Sequence, residues 1–266
     1  MNKIGIAMML AGILALAGCA PGASWEDEAA IEKSDRLLSD TVEAEWSVEG
    51  AAGGESIVRV RLGANDGTPI EAFDVNHEKL LHLIVVSEDQ SYFNHIHPEY
   101  EGDGEFRIAN VFPAGGRYRL IADFKPTNGD AMTKLTWVDV EGPRAEPAPV
   151  APADLPAVAV AAGTRVTLRA DGLVAEAPTA LSFALEDGAT GEPVTDLEPY
   201  LGAIGHVVVL SEDGERYVHV HAEEAQGSGP AAAFEATFPK PGVYKIWGQF
   251  QRDGEVFTVA YAVEVR

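Results

Sequence analysis

The segment Phe112 to Tyr118 (FPAGGRY) returns 126 residues later as Phe238 to Tyr244 (FPKPGVY). Both copies have the chemistry of a corner between two strands. The proline fixes the backbone, Gly116 or Gly242 permits unusual dihedral angles, and the tyrosine enters the next strand. A corner of this composition that occurs twice predicts two copies of one β-domain.

Residues on either side of the corner repeat as well. An offset of 124 residues places His82, Ser87, Asp89, His95 and His97 on His206, Ser211, Asp213, His219 and His221. A two-residue insertion in a loop accounts for the change from 124 to 126. The agreement extends over nearly a whole domain, so we interpret the two halves as a duplication.

Apolar and polar residues alternate between these landmarks, and turn-forming residues recur at short intervals, which predicts strands. In the first copy the strands are predicted at residues 41–49, 55–63, 79–87, 91–98, 104–111, 116–124 and 132–141. In the second they are predicted at residues 164–170, 179–187, 203–211, 215–221, 232–238, 242–251 and 256–265. This count and the corner resemble Ig-like and fibronectin-like sandwiches. The fold class predicted is all-β, with two tandem Ig-like antiparallel β-sandwich domains after a lipoprotein signal peptide.

The leader has its own pattern. Lys3 precedes an apolar run from Ile4 to Leu16, which is shorter than the roughly 20 residues that span a bilayer. The run ends in Leu16-Ala17-Gly18-Cys19, which resembles the lipobox of bacterial lipoproteins, and Cys19 is the only cysteine. The resemblance implies cleavage before Cys19 and attachment of lipid to its thiol, which would anchor the protein to a membrane. In a Gram-negative organism, Ala20 in place of aspartate implies the outer membrane, with the protein facing the periplasm.

These features divide the chain. The predicted parts are a signal peptide (1–18), a lipid-anchored tether with a short helix from Ser24 to Leu38 (19–40), domain 1 (41–142), a Pro/Ala-rich linker (143–156) and domain 2 (157–266).

The charge of the chain limits its partners. With 42 acidic and 19 basic residues the formal net charge is −23, which disfavours nucleic acid and anionic lipid. The sequence contains no glycine-rich phosphate loop after a strand and no nucleophile elbow. We therefore predict a protein that is not an enzyme.

Six of the seven histidines belong to the repeated triplets, and only His77 lies outside them. Strand side chains alternate, so His95 and His97 share one face of a strand, as do His219 and His221. A hairpin turn near Ser87 would place His82 opposite His95, and the second copy would place His206 opposite His219 at a Cβ separation of about 4.5–5.5 Å.

Three imidazoles with a water or a carboxylate suit zinc or copper(II). The triplets predict two metal sites, one in each copy. Acidic residues that follow the triplets are the alternatives for a fourth ligand, namely Glu99, Glu101, Asp103, Glu223 and Glu224.

Two resemblances bear on these residues. Residues 217–223 resemble the His-Val-His-Glu segment of copper-zinc superoxide dismutases, but neither copy has a histidine after its H-x-H pair, which excludes that activity. The first copy also resembles bacterial exported sandwich domains with an H-x-x-x-x-S-x-D…H-x-H-P pattern, some of them linked to copper handling. Pro98 completes that pattern, whereas Ala222 replaces the proline in the second copy.

The hypothesis from sequence is an envelope-anchored lipoprotein that binds copper or zinc through its histidine triplets, for sequestration or for delivery to an envelope protein. The alternative is a structural or interaction module that binds protein or glycan, in which the histidines only pack and hydrogen-bond.

Overall fold

The computed structural model describes residues 37–148, 150–218, 220–223 and 225–266. The predicted signal peptide, Cys19 and most of the predicted tether lie outside this range. Leu37 and Leu38, where the predicted short helix would end, precede a 3-10 turn at Ser39–Thr41, and Leu38 is extended. The rest of the described chain is built on β-strands.

Domain 1 contains eight strands. They are β1 (Val42–Glu49), β2 (Glu55–Ala64), β3 (Leu81–Ser87), β4 (Phe93–Ile96), β5 (Glu99–Gly102), β6 (Glu105–Val111), β7 (Gly116–Phe124) and β8 (Met132–Val140). The described residues of domain 2 contain nine. They are β9 (Ala157–Ala161), β10 (Thr164–Ala170), β11 (Pro178–Asp187), β12 (His206–Ser211), β13 (Tyr217–Val218), β14 (Val220–Ala222), β15 (Ala231–Thr237), β16 (Gly242–Arg252) and β17 (Glu255–Val265).

Each domain is a sandwich of two antiparallel sheets. Domain 1 has the strand orders β1-β2-β6-β5 and β4-β3-β7-β8, and domain 2 has β14-β15-β11-β10-β9 and β13-β12-β16-β17. Apolar side chains of each sandwich form a buried core of their own. The predicted fold class is confirmed in its β-sandwich architecture and its two tandem domains.

The repeated corner explains the agreement. Tyr118 Oη donates a hydrogen bond to the carbonyl of Ala114 (2.7 Å), and Tyr244 Oη donates to the carbonyl of Lys240 (2.8 Å). A tyrosine that bonds back to the chain a few residues upstream is a hallmark of Ig-like sandwiches. Gly116 has φ +141°, which favours glycine.

Two strands were not predicted. The first, β5, is a four-residue segment that alternates exposed and half-buried residues, too short to give a periodic signal. The second, β9, forms a sheet edge, and its Val158 and Val160 side chains are mostly exposed. It directly follows the Pro/Ala-rich segment, and the composition of that segment prevented the start of β9 from being predicted.

The two sandwiches pack against each other through the sheets that contain β3 and β12. In β3, Leu83 and Val85 belong to the domain 1 core, whereas Ile84 and Val86 lie in a separate buried cluster shared with domain 2. That cluster also contains Val208, Leu210, Trp247 and Ile121. Both faces of β3 are therefore buried, and His82 and His95 lie on the face that meets the other domain.

The contacts across this interface are reciprocal. Phe93 of β4 stacks on Trp247 of β16 with ring centroids 4.8 Å apart. In the opposite sense, Tyr217 Oη of β13 donates a hydrogen bond to Asp123 of β7 (3.3 Å). This is the isologous arrangement expected when two copies of one surface meet.

Candidate metal centre

The hairpin of β3 and β4 brings the first histidine triplet together, in a register that differs from the predicted one. His95 faces Ile84, two residues from the predicted partner His82. The predicted register was wrong because Ser87 N donates to Tyr92 O (3.1 Å), so the loop between these two residues is longer than the predicted turn. A shift of two residues leaves each side chain on its own face of the sheet, so the three rings still meet.

The spacing of the three rings fits a common ligand. Ring centroids are separated by 5.2 Å for His82 and His95, 5.0 Å for His82 and His97, and 4.9 Å for His95 and His97. Three imidazoles on one tetrahedral zinc, with Zn–N about 2.0–2.1 Å, would have centroids about 5 Å apart. One ring nitrogen from each histidine lies within 4.8 Å of the others. The separations therefore match those of a three-histidine metal site.

Hydrogen bonds fix the tautomers of two of these rings. His82 Nε2 lies 2.9 Å from the backbone carbonyl of Asn76, which can only accept, so Nε2 carries the proton and Nδ1 has a lone pair. His95 Nδ1 lies 2.7 Å from Gln249 Oε1, while Gln249 Nε2 donates to Thr258 Oγ1 (3.3 Å). His95 Nε2 therefore has a lone pair as well.

The two lone pairs face each other. His82 Nδ1 and His95 Nε2 are 3.1 Å apart, close to the roughly 3.3 Å between two nitrogen ligands of a tetrahedral zinc. Histidine ligands of metals commonly donate their other N–H to a carbonyl or carboxylate oxygen, as both do here. This pair has the orientation of metal ligands.

His97 adds a third nitrogen. Its Nε2 atom is buried and has no hydrogen-bond partner among the described residues. An unpartnered buried polar atom costs about 1–3 kcal/mol. A bound cation would remove that cost, whereas a purely structural histidine would retain it.

Burial keeps the cluster uncharged. It lowers the pKa of His95 to about 3, because desolvation outweighs the hydrogen bond to Gln249, and the neighbouring histidines lower it further. Desolvation lowers the pKa of His97 and of His206 to about 4. At neutral pH these imidazoles are neutral, which is the form that binds a metal.

His206 lies in the same cluster. Its ring centroid is 6.4 Å from that of His82 and 6.2 Å from that of His95. His82, His95 and His206 all line one cavity of about 40 Å³ between the domains, which is room for an ion or a water. His206 thus lies beside the first triplet, because the sheets that bear the triplets face each other. The separate site predicted for the second copy stays a prediction.

The rest of the second triplet is only partly described. His219 lies outside the described residues, and so does the side chain of His221. The register of the hairpin repeats that of domain 1, since Val209 faces Val218. The predicted opposition of His206 and His219 involves a residue outside the description and stays a prediction.

The predicted acidic ligands lie elsewhere or outside the description. Glu99 and Glu101 belong to β5 in the other sheet of domain 1, and Glu101 pairs with Arg107 at 4.0 Å. Asp103 and Glu223 are absent from the lining of the histidine cavity over the part of the chain described. Glu224 lies outside the described residues.

Sequence reasoning missed three residues of the cavity region. Asp123 and His77 line the cavity, and Gln249 holds His95 from the other domain. Asp123 and Gln249 occupy equivalent positions of β7 and β16 and face His82 and His206. A polar residue within a short apolar stretch of each strand (residues 120–124 and 246–250), at the repeat offset, was the signal available in the sequence.

Fold and site together define a tandem β-sandwich protein with a buried histidine cluster between its two domains. Residues 37–142 and 159–266 each match the model of a family described as a domain of unknown function, DUF8832. The chain belongs to this family and carries its domain twice.

Comparison with solved structures gives distant likenesses. Domains 4 and 5 of the S-layer protein SbsC are 14% identical, with a TM-score of 0.26, over 58% of this chain and 66% of that one. Bacterial invasin, an integrin-binding protein, is 13% identical, with a TM-score of 0.25, over 85% of this chain and 40% of that one. Two fibronectin type III domains of chicken tenascin are 13% identical, with a TM-score of 0.25, over 83% of this chain and 98% of that one.

The chain thus spans just under two thirds of the S-layer fragment and less than half of invasin. No protein with a curated description matches it significantly. Within the described residues, no helix has the length and apolar character needed to cross a membrane.

Proposed function

We propose that this chain is an envelope lipoprotein that binds one divalent transition metal, copper or zinc, at His82, His95 and His97. The observation that carries the proposal is the convergence of three imidazoles at the ring separations of a metal site. Two of them present lone pairs to each other, and the third has an unpartnered buried nitrogen. Nitrogen ligands of this kind accommodate zinc and copper(II) alike.

The surroundings favour binding over catalysis. The cavity of about 40 Å³ has room for an ion or a water but not for an organic substrate. The formal net charge of −23 attracts cations to the protein. These features support sequestration of the metal, or its delivery to an envelope protein.

The proposal of a lipid anchor is based on the sequence alone. The lipobox-like residues before Cys19 support lipid attachment at the cell envelope, on the outer membrane facing the periplasm in a Gram-negative organism. Cells fed a labelled fatty acid should label the wild-type chain but not a Cys19→Ala variant. Equal labelling of the two would remove the anchor from the proposal.

Calorimetric titration of the metal-free, full-length chain in mild detergent tests the metal site. At neutral pH we expect one equivalent of zinc(II), and separately of copper(II), to bind with a dissociation constant below the micromolar range. The double variant His95→Ala/His97→Ala should lose this binding. Asn94→Ala is the matched control, since Asn94 directly precedes His95 and bonds to Asn110 on the opposite face of the strand.

Either of two results would contradict the proposal. One is the absence of binding to the wild-type chain by both metals. The other is unchanged binding by the double variant, which would place the metal elsewhere. Binding of two equivalents of metal would instead support the prediction of one site in each copy.

A further inference from the structure

His77 lies between the buried cluster and solvent. It is exposed, and it lines the cavity of about 40 Å³ that contains His82, His95 and His206. It also lines an open pocket of about 620 Å³ formed mainly by loops of domain 2. Among the described residues it is the only side chain common to the two linings.

The ring of His77 is close to one histidine of the cluster and farther from another. Its centroid is 4.9 Å from that of His206, which is within the spacing of two imidazoles on one metal, and 6.2 Å from that of His82. His206 Nε2 lies 3.0 Å from the carbonyl of Tyr200, so the proton is on Nε2 and the lone pair on Nδ1. The ring separation of His77 and His206 thus fits a shared ion next to the three-histidine site.

A backbone turn holds His77 in place. Asn76 N donates to Lys79 O (2.8 Å) and Lys79 N donates to Asn76 O (3.0 Å), and His77 has φ +46° between them. Positive φ is uncommon for residues other than glycine, so the two bonds hold the backbone of His77 in a defined conformation although the side chain is exposed.

The second copy contains the same turn with a different residue. Tyr200 and Ala203 exchange backbone hydrogen bonds of 2.8 and 3.2 Å, and Leu201 has φ +51° at the position equivalent to His77. The turn therefore forms with leucine as well as with histidine. An imidazole at this position is not required by the backbone, which leaves its contact with His206 to be explained.

We propose that His77 and His206 form a transient binding site on the entry route of the metal. An ion that enters from the open pocket is held there before it reaches His82, His95 and His97. This inference rests on the proposed function and adds the route by which the site exchanges its ion. Carboxylates of Glu198 and Glu223 line the same pocket and favour the approach of a cation. The ion exchanges ligands one at a time, with no change in its oxidation state.

A ligand that touches the ion only in passage lowers the barrier equally in both directions. His77→Leu should therefore slow both loading and release by about tenfold, or about 1.4 kcal/mol of barrier, and leave the equilibrium constant unchanged. The leucine is the residue that the second copy carries in the same turn, so the variant should fold. Val75→Ala, two residues from His77 and mostly exposed, is the control that should leave both rates unchanged.

Stopped-flow mixing of the metal-free, full-length chain with zinc(II), and separately with copper(II), gives the loading rate. Transfer to a chromophoric chelator gives the release rate, and calorimetry gives the dissociation constant. Unchanged rates in His77→Leu would overturn the transfer role. A weaker equilibrium affinity at unchanged loading rate would overturn it too, because His77 would then be a resident ligand.

Different results contradict the proposed function and the transfer role of His77. If the wild-type chain binds neither metal, the proposed function fails. If it binds metal and His77→Leu exchanges it as fast as wild type, only the transfer role fails.

Discussion

His97 presents a buried ring nitrogen that has no hydrogen-bond partner within the described part of the chain. In the metal-free protein this atom has lost its hydration without compensation. Residues that reduce the stability of the fold are expected at functional sites. A substitution of His97 therefore distinguishes a metal-binding role from a structural role better than a substitution of His82 or His95, whose rings have hydrogen-bond partners.

We predict that His97→Ala weakens zinc binding at least about tenfold but changes the free energy of unfolding of the metal-free chain by no more than about 1 kcal/mol. The ring makes no hydrogen bond through Nε2, so truncation removes little that stabilises the fold. Zinc titration and urea unfolding of the same preparation measure the two effects. Loss of stability with full retention of binding would assign His97 to packing.

The sequence placed the three histidines of domain 1 on one face, because the alternation of side chains along a strand survives a register error of two residues. It could not identify Gln249, since the bond from His95 spans 154 residues and crosses between the sandwiches. For the same reason it could not assign His206 to the first cluster. Contacts between separately folded sheets leave no local periodicity to detect.

At the scale of elements, the loop that joins β3 to β4 sets the register of the histidine hairpin. Asp89 accepts hydrogen bonds from the hydroxyls of Ser87 (2.6 Å) and Ser91 (2.8 Å) and from the backbone amide of Ala148 (3.0 Å). Burial raises the pKa of Asp89, but these bonds outweigh it and the pKa falls to about 2. The same carboxylate thus organises the loop and holds the start of the interdomain segment against it.

A carboxyl group with a lowered pKa stabilises the fold in its ionised form. Its contribution is fully present above the unfolded pKa, near 4, and is lost as the pH falls through the folded value of about 2. We predict that Asp89→Asn costs about 1 kcal/mol at pH 6 and that the difference from wild type shrinks below pH 4. Urea unfolding at several pH values tests this.

Asp139→Asn, a change of the same chemistry at an exposed position of β8, is the control and should show no such trend. A difference between Asp89→Asn and wild type that stays constant from pH 6 to below pH 3 would show that the ionised carboxylate is not the stabilising species.

Strand positions were predictable because polar and apolar residues alternate in sandwich strands that have one face in the core. The extent of β7 was predicted in full and β2 to within one residue. The hairpin register was missed because it depends on side chain to backbone bonds in the loop, such as Tyr92 N to Ser87 Oγ (2.9 Å). The turn-forming residues were visible in the sequence, but the length of the loop that they close was not.

Over the whole molecule, the proposed metal site depends on how the two sandwiches pack. Trp247 of β16 is buried in the interface and stacks on Phe93, two residues from His95. It does not line the histidine cavity. Its removal therefore tests whether alignment of the domains holds the cluster together.

We predict that Trp247→Ala lowers the free energy of unfolding by about 3–5 kcal/mol and weakens zinc binding as well, because β4 and β16 lose their alignment. Denaturant unfolding and zinc titration provide the two measurements. Val256→Ala, at an exposed position of β17, is the control. Reduced stability with wild-type zinc affinity would mean that domain 1 alone holds the ion.

The reciprocal contacts between the sandwiches have a consequence for how such a site diversifies. In a homodimer of single domains, every substitution at the contact surface would occur on both sides at once. Joining the copies in one polypeptide frees each half to change independently, and positions 123 and 249 carry aspartate in one half and glutamine in the other, just as 77 and 201 carry histidine and leucine. Covalent fusion thus permits one half to carry the proposed metal ligands while the other half supplies residues that position them.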